Sequence, residues 1–132
     1  MAGAKKILIV DDEPDAVAFA RIALSELGEV TILSAGDGEA GLAKAAEEVP
    51  DLIVLDVQMP GKDGFQVFAD LKRDAATADI PVIMLTGVGD KLGIRFSSED
   101  MGEFVGREPN AYIEKPVDPT ELQRTASDLL GR

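Results

Sequence analysis

Asp51-Leu52-Ile53-Val54-Leu55-Asp56-Val57-Gln58-Met59-Pro60-Gly61 is the stretch that decides the fold. Leu52 to Leu55 form an unbroken aliphatic run between two acids, and Met59-Pro60-Gly61 then turns the chain. Continuous runs of this kind, bounded by turn residues, read as strands covered on both faces, as in a parallel sheet. Asp56 therefore stands at the tip of a buried strand and faces a loop, where a carboxylate is placed to act rather than to pack.

Outward from this run the same rhythm repeats. Apolar runs near 6–10, 30–33, 81–85 and 111–113 alternate with amphipathic stretches. Pro14 to Leu27 carries Ala16, Ala20, Ala23, Leu24 and Leu27 at helical spacing. Asp12 or Glu13 suits its cap, Pro14 its first turn and Gly28 its end. Further helices are expected at Asp37–Glu48 with Asp37 as cap, Gly64–Asp74, and Asp118–Leu130 with Gly131 as stop. Strand–helix alternation gives βαβ units and right-handed crossovers. The expected fold is α/β: an open, doubly wound, five-stranded parallel sheet in three layers. The interval 87–110 departs from the rhythm, because Gly87, Gly89, Gly93, Gly102 and Gly106 fall within it. Each interior glycine costs a helix roughly 1 kcal/mol relative to alanine. A short helix after a long loop is expected there, with Ser97 or Ser98 as cap and Met101, Phe104 and Val105 on its apolar face.

Composition narrows the chemistry. The 132 residues suit one domain, and 45% are apolar, enough for an aliphatic core. A net charge of -12 argues against nucleic-acid and anionic-membrane partners. The chain has neither Cys nor His, which removes disulfides, thiolate catalysis, imidazole acid–base chemistry and His-ligated zinc. No apolar run approaches a membrane span, and Met1 to Lys6 lacks the apolar core of a signal peptide, so the expected location is the cytoplasm.

Ligands bind open parallel sheets beyond the carboxyl ends of the strands. Asp11, Asp12, Asp56, Thr86 and Lys115 all lie at such ends. Neighbouring carboxylates repel one another unless they share a cation, and a hard ion such as Mg²⁺ prefers oxygen ligands. An Asp carboxylate can attack phosphorus and form an aspartyl phosphate. Lys115 offers positive charge to a phosphoryl group and Thr86 a hydroxyl, with Gly87 leaving room. Taken singly, each residue has a plainer reading. Asp11 and Asp12 suit the start of a helix (capping and metal binding are compatible), Thr86 suits any strand, and Lys115, Glu13 and Asp63 suit solvent.

In combination, Val10-Asp11-Asp12-Glu13, Leu55-Asp56 through Gly64, Pro81 through Thr86-Gly87, and Tyr112-Ile113-Glu114-Lys115-Pro116 resemble the receiver domain of two-component response regulators. The resemblance runs from about Lys5 to Leu130. It implies a flavodoxin-like (βα)₅ fold and a signalling switch rather than a conventional enzyme. It implies that Asp56 is the phosphoacceptor, that Asp11, Asp12, Asp56 and the Gln58 backbone carbonyl hold Mg²⁺ or Mn²⁺, and that Lys115, before a cis bond to Pro116, pairs with the phosphoryl group. Thr86 and Tyr112 would be the switch pair, and Gln58 and Val88 would tune the phosphoryl lifetime. The implied donor is a sensor histidine kinase or phosphotransfer protein, and the output is an unidentified protein target.

Thr86 and Lys115 are 29 positions apart, several more than the usual pattern, and the surplus falls in the Gly-rich stretch. That stretch would build part of the usual output and dimerisation face, so dimerisation stays open. The expectation is a single receiver domain over 1–132, with its core at about 5–130 and no output domain, stand-alone or excised. Two alternatives remain. A haloacid-dehalogenase-like phosphatase needs Asp-x-Asp after its first strand, whereas Asp11 and Asp12 are adjacent. A pseudo-receiver that only binds partners would not need the complete acid, lysine and hydroxyl set.

Overall fold

The computed structural model describes residues 4–87 and 108–131. Within them the chain runs β1 (Lys5–Val10), α1 (Pro14–Ser25), β2 (Val30–Ala35), α2 (Gly38–Glu48), β3 (Leu52–Asp56), α3 (Gly64–Arg73), β4 (Val82–Thr86), β5 (Ala111–Glu114) and α4 (Pro119–Leu129). The short helix expected around Ser97 to Val105, and Val88, lie outside the described residues.

All five strands are parallel, in the order β2-β1-β3-β4-β5. Every residue of β3 and β4 is buried. Successive side chains point to opposite faces of a strand, and this divides the aliphatic runs into two cores. Leu8, Val10, Ile53, Leu55, Val82 and Met84 pack with Val67, Phe68 and Leu71 of α3 and Ala45 of α2. Ile7, Ile9, Leu52, Val54, Ile83, Leu85 and Ile113 pack with Ala20, Ala23 and Leu24 of α1 and Leu122 and Ala126 of α4. The order reverses direction between β1 and β3, and an open sheet is split there into a crevice at the carboxyl ends.

The helix signals read from the sequence hold in most places. Asp37 caps α2 by accepting from Ala40 N. Asp118, expected as the first residue of the last helix, stands just before α4 as its cap, accepting from Thr120 N and Glu121 N. Gly28, at φ +69°, takes the left-handed conformation that glycine favours. One expectation holds by position alone, and one is corrected. Neither Asp12 nor Glu13 caps α1 with its side chain. Glu13 holds the cap position without a side-chain bond, and its N–H donates to Asp11 Oδ1 instead. Asp63 is not merely solvated: it accepts from Gln66 N while Gln66 bonds back to Asp63 N, a reciprocal box that starts α3.

Candidate functional site

The carboxyl ends of β1 and β3 bring two acids side by side. Asp56 is the last residue of β3 and Asp11 follows β1; both are buried, at 2% and 3% exposure. Asp12, next along, is exposed. One carboxylate oxygen from each of Asp11, Asp12 and Asp56 lies within 4.8 Å of the others. Lys115, just beyond β5, reaches across to Asp56 Oδ1 at 2.5 Å. Its backbone N–H donates to the Thr86 carbonyl at 2.7 Å, fixing the lysine to the end of β4. The Lys115–Pro116 bond is cis, as the resemblance implies.

The electrostatics follow from burial. Desolvation pushes the Asp56 carboxyl up to about 6; the bond from Lys115 opposes this, and the field of Asp11 adds to it. Asp11 is raised as well, first by burial, with the Glu13 N–H and Lys115 working the other way. Burial alone would lower Lys115. The bond to Asp56 and the fields of Asp56, Asp11 and Glu13 outweigh it, so the lysine stands above its ordinary range. One ion pair thus favours the charged lysine without fully rescuing the carboxylate. The difference is physical: the Asp56 side chain is 3% exposed, while that of Lys115 is 35% exposed and keeps part of its hydration.

Such a group suits a hard cation. Three carboxylates with hard oxygen donors converge, and two of them are buried beyond what one lysine compensates. Magnesium and manganese take carboxylate, carbonyl and water ligands of this kind. Gln58, whose carbonyl was expected to join them, lies two residues past Asp56 on the loop into α3 and is exposed.

Thr86 ends β4, 2% exposed, paired in register with Glu114 of β5. Its hydroxyl donates to the Ile113 carbonyl over a long 3.5 Å bond, so it is turned toward β5. Tyr112 lies opposite Met84, half-buried against the core beneath α2 and α3. The structure therefore gathers Asp11, Asp12, Asp56 and Lys115 into one site and places Thr86 and Tyr112 on the adjoining strands.

Gly64 contributes more than a helix start. A Cβ there would overlap the Asp56 carbonyl oxygen and stand 2.8 Å from Val57 Cα, while Gly64 N donates to the Val57 carbonyl at 2.8 Å. The first turn of α3 thus rests on the backbone at the end of β3, a contact that residue spacing does not reveal.

Residues 7–127 match the response regulator receiver domain. The chain is 39% identical to the DNA-binding dual master transcriptional regulator RpaA of Synechocystis over 96% of its own length but 49% of RpaA. It is 35% identical to protein PilH of Pseudomonas aeruginosa, covering 96% of this chain and 98% of PilH. It thus spans about half the length of several transcriptional regulators that it matches. Among solved structures, the Vibrio cholerae chemotaxis protein CheY4 superposes with a TM-score of 0.80 at 27% identity, covering 96% of this chain and 99% of CheY4. The signal receiver domain of a Syntrophus aciditrophicus signal transduction histidine kinase gives 0.84 at 30% identity, covering 97% and 91%.

Proposed function

Because the chain belongs to the response regulator receiver domain family of two-component systems, we propose that Asp56 is the residue on which its signal is written. The observation that carries this is the placement of Asp56: buried at the tip of β3, paired with Lys115 and facing Asp11 and Asp12.

In this reading an Asp56 carboxylate oxygen attacks the phosphorus of a phosphohistidine on a kinase or phosphotransfer protein. The P–O bond to Asp56 forms as the P–N bond breaks. The imidazole nitrogen leaves with the electron pair, and the product is an aspartyl phosphate. Lys115 passes from the carboxylate to a phosphoryl oxygen, staying close to both because its backbone is tied to Thr86. Asp11, Asp12, Asp56 and the Gln58 carbonyl would hold Mg²⁺ or Mn²⁺, which supplies positive charge to the phosphoryl oxygens when bound. Glu13 N–H orients Asp11 by donating to its Oδ1.

The switch is a population shift between two arrangements of Thr86. The weak bond to Ile113 is exchanged for one to the phosphoryl group, and Tyr112 on the neighbouring strand adjusts its packing. The chain then acts as a switch for a downstream protein, not as a turnover enzyme. No helix among the described residues is long and apolar enough to cross a membrane. The phosphatase and pseudo-receiver alternatives find no favouring feature in the site.

Incubation with acetyl phosphate and Mg²⁺, followed by intact-mass measurement, tests the assignment. One hydroxylamine-labile phosphoryl group is expected on the wild-type chain and none on Asp56→Asn. Equal labelling of the two would move the acceptor elsewhere.

A further inference from the structure

Of the proposed metal ligands, the Gln58 carbonyl is the backbone one, carried on the β3–α3 loop two residues past Asp56. The two ends of that loop are held by the backbone: Val57 N donates to Leu85 O at 3.1 Å, and Gly64 N to Val57 O at 2.8 Å. Met59 is buried in the core under α2 and α3 and anchors the near limb. The far limb is held by a charge. Lys62 Nζ lies 2.5 Å from Asp70 Oδ2 on α3 and 3.2 Å from Glu39 Oε1 in the first turn of α2. Its carbonyl oxygen lies 3.0 Å from the Cβ position of Gly38, so the start of α2 rests on the loop itself. A cation beside a helix N-terminus opposes the helix dipole, so the two acids, not α2, account for where this ammonium sits.

We infer that Lys62 is a positioning residue for the metal site: its ammonium clamps the β3–α3 loop to both neighbouring helices and so fixes the Gln58 carbonyl. This rests on the reading of Asp11, Asp12 and Asp56 as the metal-binding group. A small hard cation demands near-octahedral geometry and tolerates little slack in any ligand. Groups that orient ligands without touching the ion change affinity by about tenfold or more when removed. Lys62 is half-buried and its ammonium pairs with Asp70 and Glu39, whereas that of Lys115 pairs with Asp56, which separates the two lysines.

Calorimetric titration with MgCl₂ tests the clamp, with the melting temperature recorded for each variant. Lys62→Met is expected to stay folded and bind Mg²⁺ about tenfold more weakly. Lys62→Arg, still able to reach Asp70, restores most of the affinity. Asp70→Asn reproduces the loss from the α3 side, and the double variant is no worse than Lys62→Met alone. Where Lys62→Met does not fold, Asp70→Asn decides by the same criterion. Wild-type affinity in Lys62→Met and Asp70→Asn, with only the melting temperature lowered, overturns the clamp and leaves the metal site standing. A wild-type chain that takes up no Mg²⁺, or an Asp12→Asn variant that binds as well as wild type, overturns the metal site and the clamp with it.

Discussion

The two ends of this sheet handle charge in opposite ways. At the amino end, Lys6 N donates to Asp51 Oδ2 at 2.8 Å, and Lys6 Nζ pairs with Glu48 at 3.3 Å near solvent. One acid there meets a backbone amide and the other a single lysine, at a partly exposed edge. At the carboxyl end, three carboxylates converge on one lysine and two of them are buried. Desolvation of a charge costs more than a single partner returns unless the geometry is completed by further ligands. The amino end is built for folding. The carboxyl end carries a deficit that a cation or a phosphoryl group can remove, and this is why it can respond.

The largest effect should come from Asp56 and pH. The unfolded chain releases this proton near 3.8, while the folded chain holds it to about 6. Between those values the folded state binds more protons, so stability falls as pH rises through the window. A shift of about two units corresponds to about 3 kcal/mol. In metal-free urea titrations, Asp56→Asn should match wild type near pH 4 and exceed it by up to about 3 kcal/mol near pH 7.5. The raised Asp11 adds a fall of the same sign to both proteins, so the diagnostic quantity is the difference between them. A difference that stays flat with pH would mean that the carboxyl end carries no such deficit.

Magnesium should reverse part of this at the same end. Binding to the folded state alone adds about 1.4 kcal/mol at a tenfold excess over Kd. The urea midpoint should rise with Mg²⁺ near pH 7.5, rise less near pH 4.5 where Asp56 is protonated, and not move in Asp12→Asn. A midpoint that rises equally in Asp12→Asn would place the ion elsewhere.

How far each end could be read from sequence follows from range. Buried strands such as β3 announce themselves, because cover on both faces leaves no polar position from Leu52 to Leu55. Asp37, Gly28 and Asp118 are legible because capping and turning are local. The box at Asp63 and Gln66 was equally local, an acid followed by a glutamine three residues on, and was open to the same reasoning. The contact of Gly64 with Val57 and the clamp from Lys62 to Asp70 and Glu39 were not legible, because they join surfaces that only the folded chain brings together. Within the site, Asp11, Asp12, Asp56 and Lys115 were legible as strand ends. The bond of Thr86 to Ile113 was not, because it depends on which way a rotamer points.

The amino end has a cost of its own, held in the backbone rather than in charge. Val49 closes α2 at φ 44° and is 52% exposed. A β-branched residue in the left-handed region is strained by roughly 1–2 kcal/mol, and Val49 recovers little of that through burial. Val49→Asn, which tolerates this conformation, should stabilise the chain by about 1 kcal/mol. Unlike the Asp56 effect, the gain should be the same at pH 4.5 and 7.5 and with or without Mg²⁺. A gain that varied with Mg²⁺ would show the two ends to be coupled.

The smallest effect should be at Lys6 and Glu48, and it sharpens the comparison most directly. The pair is partly exposed at both partners, at 43% and 32%. Exposed ion pairs contribute about 0.5 kcal/mol and are screened by salt. Glu48→Gln should therefore lower stability by about 0.5 kcal/mol at low ionic strength and by less in 0.5 M NaCl, a concentration at which the Debye length is about 4 Å. Removing an acid at the amino end thus destabilises slightly, whereas removing Asp56 at the carboxyl end stabilises near neutral pH. The opposite signs of these two acid-to-amide changes, measured on one chain in one buffer, separate a charge placed to hold the fold from a charge placed to be neutralised.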